Sequence, residues 1–246
     1  MRQGATDGWA TRFGLIMAMA GNAVGLGNFL RFPGKAAPYG GAFMIPYFIV
    51  LLLIGIPLMW MEWTIGRHGG GYGHGTTPGM FHRMWGNRVS KYLGIFGVLL
   101  PAMVGVYYIY IESWSLGYAW QTMTGAYWGK TSNEEMKGVF VSFLGMDGGA
   151  FSFSPQAYFF FLVTLGLNVL VFSRGIAGGI EIVAKYCMPV LLVLGVVLAV
   201  RVFTLPPVEG RTVSDGLAQV WRVDDWSVLL KPDIWLTAAG QIFFTL

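Results

Sequence analysis

The residues best suited to chemistry lie in a polar segment, 21–28, inside an apolar stretch near the N-terminus. It reads GNAVGLGN and holds three glycines and two asparagines. Glycine costs about 1 kcal/mol relative to alanine in a helix, so this density of glycine favours an unwound backbone. In hydrocarbon, an unwound backbone is tolerated only where its N–H and C=O groups line a cavity or bind something. The segment therefore predicts a binding site at a broken helix, whose half-helix ends would present N–H groups to an anion and carbonyls to a cation.

Helix packing is a second interpretation of the same glycines. Gly21 and Gly25 form a G-x-x-x-G motif, which lets two helices approach closely. Packing alone leaves Asn22 and Asn28 unexplained, because their amides need partners in lipid. A dinucleotide-binding loop is excluded, since no glycine stands at position 30 and no strand precedes the segment.

The composition is that of a membrane protein. Of 246 residues, 55% are hydrophobic and 11% are charged, against about a quarter charged in soluble domains. The lone Cys187 excludes an internal disulfide and a metal site built from several cysteines. A net charge of +4 without a basic stripe argues against nucleic-acid binding. His68, His74 and His82 are too irregularly spaced to predict a metal site.

Long uncharged stretches predict the elements that must position the polar segment. A bilayer crossing needs about 20 mostly apolar residues. We expect an all-α membrane protein with one transmembrane domain over residues 1–246. Its predicted spans are 11–32, 42–65, 91–123, 157–172 and 182–203, with the start of a sixth at 234–246.

The distribution of basic residues favours a cytoplasmic N-terminus. Lysine and arginine divide equally between the two sides, eight and eight, so their number alone does not decide the orientation. The connection 66–91 holds four basic residues and no acid, which places it inside. The short N-terminal tail fits a bacterial inner membrane.

Two acids lie within the predicted spans, Glu62 and Glu112, and we expect them to be the only ones. An intramembrane carboxylate is a functional candidate, for example as a general acid or base in an intramembrane enzyme. The sequence has no H-E-x-x-H, catalytic dyad or cofactor motif, so we expect no enzyme.

Several long motifs are distributed along the chain. They are WATR at 9–12, GNAVGLGNFLRFP at 21–33, GAFMIPY at 41–47, GIPLMWMEW at 55–63, GHGTTP at 73–78, YYIYIESW at 107–114 and GQIFFTL at 240–246. Together they resemble the neurotransmitter:sodium symporter family, most of all its bacterial leucine-transporter-like branch. The resemblance covers about residues 9–246 and weakens in the connections 125–155 and 205–231.

The resemblance implies a fold and a set of substrate contacts. The fold is the first five-helix repeat of an inverted-repeat transporter plus the first half of the sixth helix, with the first helix unwound at the membrane midplane. A substrate carboxylate would meet the N–H groups of Leu26 and Gly27 and the Tyr108 hydroxyl, and an amine would meet backbone carbonyls. The implied substrate-binding residues are Asn22, Ala23, Leu26, Gly27, Val104, Tyr108, Phe244 and Thr245.

The resemblance also implies two sodium sites. The first would use the Ala23 carbonyl, the Asn28 side chain and Thr245, with the substrate carboxylate as a further ligand. The second would use the carbonyls of Gly21 and Val24. Both would be completed by residues beyond Leu246. Chloride dependence stays open.

The same resemblance implies two gate residues and one residue that supports a broken helix. Arg31 matches an outer-gate arginine, and Trp9 belongs to the inner gate. The basic residue expected three positions before Trp9 is replaced by Thr6, which puts the inner-gate chemistry in doubt. Glu62 matches a residue that braces a broken helix, and the role of Glu112 is left open.

The implied function is sodium-coupled symport of a neutral amino acid by alternating access. Gly25 stands where carriers of amines without a carboxylate have an acid, and the apolar pocket residues favour a hydrophobic amino acid. The expected partners are this substrate, sodium and the lipid bilayer. The last apolar segment is short, so a truncated, non-transporting fragment is one alternative. An ion channel and an intramembrane enzyme are the others, and the oligomeric state is not predicted.

Overall fold

Helices form most of the chain in the computed structural model, which describes residues 8–146, 153–207 and 210–245. Those residues contain no strand. They divide into two compact units. The first unit comprises the described chain up to Gly75 and from Ile176 onward, and the second comprises Thr76–Gly175.

The first unit begins with a helix that breaks where the glycines and asparagines predicted. Helix α1 ends at Ala23, and Val24 leaves helical geometry with φ −98° and ψ 74°. The chain resumes as a π-helical turn at Gly27–Arg31 that continues into α2. The helices of this unit are α1 (Arg12–Ala23), α2 (Phe32–Ala36), α3 (Met44–Val50), α4 (Ile56–Gly71), α9 (Glu181–Phe203), α10 (Val213–Trp221) and α11 (Pro232–Thr245).

The second unit is built on one long helix. Its helices are α5 (Thr77–Trp85), α6 (Arg88–Met123), α7 (Asn133–Leu144) and α8 (Pro155–Ser173). Helix α5 packs against α6 at two glycines, since a Cβ added to Gly94 would lie 2.6 Å from the Pro78 Cα, and Gly97 faces the Thr77 side chain. Without side chains, Gly94 lets the two backbones touch and Gly97 leaves room for the Thr77 side chain.

Within the described residues, five helical stretches are long and apolar enough to cross a membrane. They are Arg12–Ala36, Gly40–Gly71, Arg88–Met123, Pro155–Ser173 and Ile176–Phe203. The predicted all-α membrane class is confirmed. The fifth stretch begins earlier than predicted and includes Glu181, so the expectation that Glu62 and Glu112 are the only acids within spans was wrong. The prediction ended each apolar segment at a charged residue. Glu181 can nevertheless lie within the span, because its carboxylate is buried and accepts hydrogen bonds.

An aromatic core fixes α11 in the first unit. Phe43 and Ile234 are fully buried, with Ala42 and Ala238 beside them. The rings of Phe32 and Phe43 pack edge to face with their centroids 5.7 Å apart, a geometry that aromatic pairs favour. This core joins α2 and α3 to α11 and so holds the C-terminal part of α11 near the break in the first helix.

The second unit has its own core, in which Gly117 of α6 faces Phe143 of α7 and Phe160 of α8. Both rings are buried, and a Cβ added to Gly117 would lie 2.4 Å from the Phe143 Cζ. Ser154 connects these helices, because its hydroxyl donates to the Phe143 carbonyl at 2.7 Å and caps α8.

The Gly117→Ala substitution is expected to destabilise the protein, because the new methyl group must displace a buried ring. Overpacking of this kind costs about 1–3 kcal/mol. Thermal unfolding in detergent should show a Tm lower by several degrees. Gly105→Ala is the matched control on the same helix, since no atom lies within 4 Å of its Cβ position. Equal Tm values for the two variants would contradict the close contact between Gly117 and Phe143.

Candidate functional site

The candidate site is the break in the first helix together with the end of α11. Around the break, the Val24 N–H still donates to the Ala20 carbonyl at 2.8 Å, and the Asn28 N–H donates to the Gly25 carbonyl at 3.0 Å. Regular helical hydrogen bonding therefore stops within this segment and restarts beyond it. The carbonyls at the end of α1 point their negative dipole end toward the gap.

Asn28 connects the two sides of the gap with its side-chain amide. Its Nδ2 donates to the Ala23 carbonyl at 2.6 Å. Its Oδ1 accepts from the Thr245 hydroxyl at 3.1 Å. The three residues predicted for the first sodium site thus lie in one continuous hydrogen-bonded chain, although Thr245 follows Asn28 by 217 residues. Their assignment as sodium ligands stays a prediction.

Gly27 is the point at which the broken helix touches α11. A Cβ added to Gly27 would lie 2.1 Å from the Cε1 of Phe244, so no larger residue fits without moving that ring. Gln241 is fully buried, and its Nε2 lies 3.4 Å from the Gly27 carbonyl oxygen. The two predicted substrate-binding residues, Gly27 and Phe244, are therefore in direct contact.

Arg31 also contacts α11, one turn beyond the gap. Its guanidinium Nη1 donates to the Gly240 carbonyl at 3.0 Å and to the Gln241 Oε1 at 2.9 Å. The Arg31 Cζ lies 5.2 Å from the centroid of the Phe244 ring, within cation–π range. The cation is thus held by α11 itself, and its role as an outer gate stays a prediction.

The remaining residues predicted for the broken helix lie at its first half. Gly21 faces α9, because a Cβ added there would lie 3.3 Å from the Met188 Sδ. Asn22 belongs to the last turn of α1, Val24 follows its end, and Leu26 begins the second half. The sodium ligands proposed at Gly21 and Val24 stay predictions.

The predicted pocket residues of the second unit lie on α6. Val104 and Tyr108 are one turn apart on this helix, so they share a face. Glu112 lies one turn further, and its Oε2 accepts from the Asn168 Nδ2 of α8 at 3.1 Å. The substrate contacts assigned to Val104 and Tyr108 stay predictions.

Two predicted residues of the first unit lie at exposed positions. Trp9 precedes α1, and Glu62 is exposed on α4. The inner-gate role of Trp9 and the bracing role of Glu62 stay predictions. Thr6, on which the inner-gate argument depends, lies outside the described residues.

Sequence reasoning missed Glu181, whose carboxylate accepts three hydrogen bonds from Ala10 and Thr11. One signal could have pointed to it. Glu181 follows Gly178, Gly179 and Ile180 and directly precedes an apolar run, so it is an acid at the start of a span. Its partners, which lie some 170 residues earlier, could not be read from that pattern.

The polar groups identified at the gap could bind a ligand mainly through their oxygen atoms. The Ala23 carbonyl, the Asn28 amide and the Thr245 hydroxyl are neutral oxygen donors of the kind that hard cations accept. The described residues contain no cluster of three or more His, Cys, Asp and Glu side chains that could hold a metal ion. The gap therefore offers neutral oxygen atoms to a hard cation.

Comparisons with known proteins find relatives among sodium-dependent transporters. The sodium:neurotransmitter symporter family matches residues 6–148 of the chain. An uncharacterized sodium-dependent transporter of Methanocaldococcus jannaschii is 31% identical over 98% of this chain and 46% of its own length. One of Bacillus subtilis is 32% identical over 97% of this chain and 49% of its own length. The sodium- and chloride-dependent taurine transporter of Bos taurus is 34% identical over 46% of this chain and 18% of its own length. The chain spans about half the length of the prokaryotic relatives.

Replacing Gly27 by alanine is expected to lower the stability of the first unit, because the methyl group would overlap the Phe244 ring. We expect a cost of about 1–3 kcal/mol, seen as a lower Tm in thermal unfolding. Adding Phe244→Ala should remove most of the penalty, since the overlapping atoms are then gone. Gly34→Ala is the control in α2, where nothing lies within 4 Å of the Cβ position. Additive losses in the double variant would show that the two residues do not touch.

Proposed function

The chain belongs to the sodium:neurotransmitter symporter family, and we propose that its complete gene product imports a neutral amino acid together with sodium. The observation that supports this most is the chain of contacts from the Ala23 carbonyl through Asn28 to Thr245 at the broken helix. Membership of a family of sodium-coupled transporters argues against the intramembrane enzyme.

Rotation of the Asn28 side-chain amide would convert this chain of contacts into a cation site. The Asn28 NH₂ group, which now faces the Ala23 carbonyl, cannot coordinate a cation. If the amide rotates by half a turn, its oxygen joins the Ala23 carbonyl as a ligand and its NH₂ group faces the Thr245 hydroxyl. That hydroxyl can then donate to the Gln241 carbonyl, which lies 2.9 Å away. The Ala23 carbonyl, the Asn28 amide and the Thr245 hydroxyl each have a partner in both arrangements. Rotation of the amide to bind a cation therefore leaves none of these groups unpaired.

The residues on the other side of the gap support the proposed substrate class. Backbone N–H groups at Leu26 and Gly27 lie where the second half of the helix begins, and a helix start favours an anion. Gly25 has no side chain to fill this region with a negative charge of its own. A substrate carboxylate fits both features, so we propose an amino acid rather than an amine without a carboxylate. A carboxylate beside the cation would also strengthen the binding of each partner.

The Asn28→Ala substitution is expected to weaken sodium-dependent substrate binding at least about tenfold, because it removes one cation ligand and its bond to Thr245. The complete gene product, reconstituted in proteoliposomes, would be assayed for uptake of radiolabelled leucine in sodium and in choline. Isoamylamine, which is leucine without its carboxylate, should not compete. The matched control is Asn133→Ala at an exposed position on α7.

Three outcomes would contradict the proposal. Uptake by Asn28→Ala with unchanged sodium dependence would remove Asn28 from the sodium site. Competition by isoamylamine equal to that of leucine would remove the carboxylate from the recognition. Sodium current without saturable uptake would identify a channel.

A further inference from the structure

Glu181 makes a contact that the proposed function does not use. It is the first residue of α9 and is only 3% exposed. Its Oε2 accepts from the Ala10 N–H at 2.6 Å. Its Oε1 accepts from the Thr11 N–H at 3.0 Å and from the Thr11 hydroxyl at 2.6 Å. We call this set of three hydrogen bonds the Glu181 cap.

The Glu181 cap stabilises the start of α1 from another helix. Thr11 is the N-cap residue of α1, and its side chain also accepts from the Gly14 N–H at 3.0 Å. A carboxylate near a helix N-terminus is favoured by the free N–H groups and by the helix dipole. Glu135 and Asp215 do the same for α7 and α10, but each caps its own helix three residues away. The Glu181 cap therefore also ties two helices together.

Packing at Gly14 gives the Glu181 cap a fixed place. A Cβ added to Gly14 would lie 2.2 Å from the Glu181 Oε1 and 2.4 Å from its Cδ. The carboxylate thus lies directly on the bare backbone of α1. Two turns further along both helices, Gly21 faces Met188. Helix α1 therefore follows α9 in the same direction, and the Glu181 cap is at the start of the contact.

The far end of α1 is the candidate sodium site. The helix Arg12–Ala23 has 12 residues, so the Glu181 cap and Ala23 are about 18 Å apart along it. Beyond Ala23 the non-helical residues Val24 and Gly25 connect α1 to the rest of the chain. A short helix joined by such a segment can move as a rigid body unless its other contacts hold it. The Glu181 cap is a contact that would hold it.

We propose that Glu181 is a positioning residue that docks α1 on α9 and thereby places the Ala23 carbonyl for sodium binding. The docking itself follows from the contacts of the first unit, whereas the effect on sodium depends on the proposed function. When the Glu181 cap opens, α1 leaves α9 and the Ala23 carbonyl leaves Asn28. The apparent affinity for sodium then falls in proportion to the fraction of molecules that remain docked.

Hydrogen exchange tests the docking without reference to transport. Glu181→Gln keeps the size of the side chain but replaces one acceptor oxygen by an NH₂ group, which meets the N–H donors of Ala10 and Thr11. In the complete gene product in lipid nanodiscs, amides of residues 10–18 should exchange at least about tenfold faster. Residues 232–245 of α11 should be unchanged, and Glu134→Gln, at an exposed position on α7, should match the wild type. Unchanged exchange at residues 10–18 would overturn the proposal.

If Glu181→Gln does not fold, variants that change side-chain size at Gly14 and Glu181 test the same contact. Gly14→Ala should loosen the same segment, because its methyl group would displace the carboxylate. Glu181→Ala removes the atoms that Gly14→Ala would strike, so the double variant should be no worse than Glu181→Ala alone. Additive effects on the exchange of residues 10–18 would overturn the contact.

Sodium titration then separates positioning from a general loss of stability. The half-saturating sodium concentration for leucine binding should rise at least about tenfold in Glu181→Gln, with partial recovery in Glu181→Asp, which keeps the charge. A loss of folded protein alone would lower the number of sites without moving this midpoint. Faster exchange with an unmoved midpoint would overturn the proposal. If the wild type binds leucine without sodium, the proposed function fails while the exchange result still reports the docking.

Discussion

The break in the first helix is the constraint on which the structure of the first unit depends. Residues 24 and 25 interrupt helical hydrogen bonding inside a stretch otherwise apolar enough to cross a membrane. Polar backbone groups exposed in such a place cost several kcal/mol each unless they find partners, by order of magnitude. Asn28 supplies one partner for the Ala23 carbonyl, and α11 supplies the partner for Asn28 through Thr245. The terminal helix of the described chain is thus needed to complete the first one.

Glycines allow these polar contacts to form, because they bring backbone to side chain at short range. Gly14 admits the Glu181 carboxylate, and Gly27 admits the Phe244 ring. Away from the broken helix, Gly41 lies so close to the Arg222 carbonyl that no larger residue would fit at this position. In each case the partner is more than a hundred residues away, so the glycine serves tertiary contact as well as local flexibility. Within the polar segment, the packing interpretation applies to Gly21 against Met188 and to Gly27 against Phe244, whereas the binding site stays a prediction.

Sequence alone predicted what depends on local composition. The spans follow from apolar length, and the break at Val24 follows from the density of glycine around it. Contacts across long separations could not be derived this way, because no local pattern pairs Glu181 with Thr11 or Thr245 with Asn28. The second pair could be expected only from the family resemblance. The first was missed because a charged residue was taken as the boundary of a span, although burial with three donors lets a carboxylate lie inside one.

If the Ala23 carbonyl binds sodium, the two ends of α1 are thermodynamically coupled. Docking at the Glu181 cap and sodium binding at Ala23 involve the same rigid segment, so each stabilises the other by the same factor. Sodium would then strengthen the contact between α1 and α9, and loss of sodium would weaken it at a point about 18 Å away along the helix. No separate signalling path is required, because the 12-residue helix α1 itself joins the Glu181 cap to Ala23. A cation bound at the gap would in this way control whether the start of the first helix stays packed.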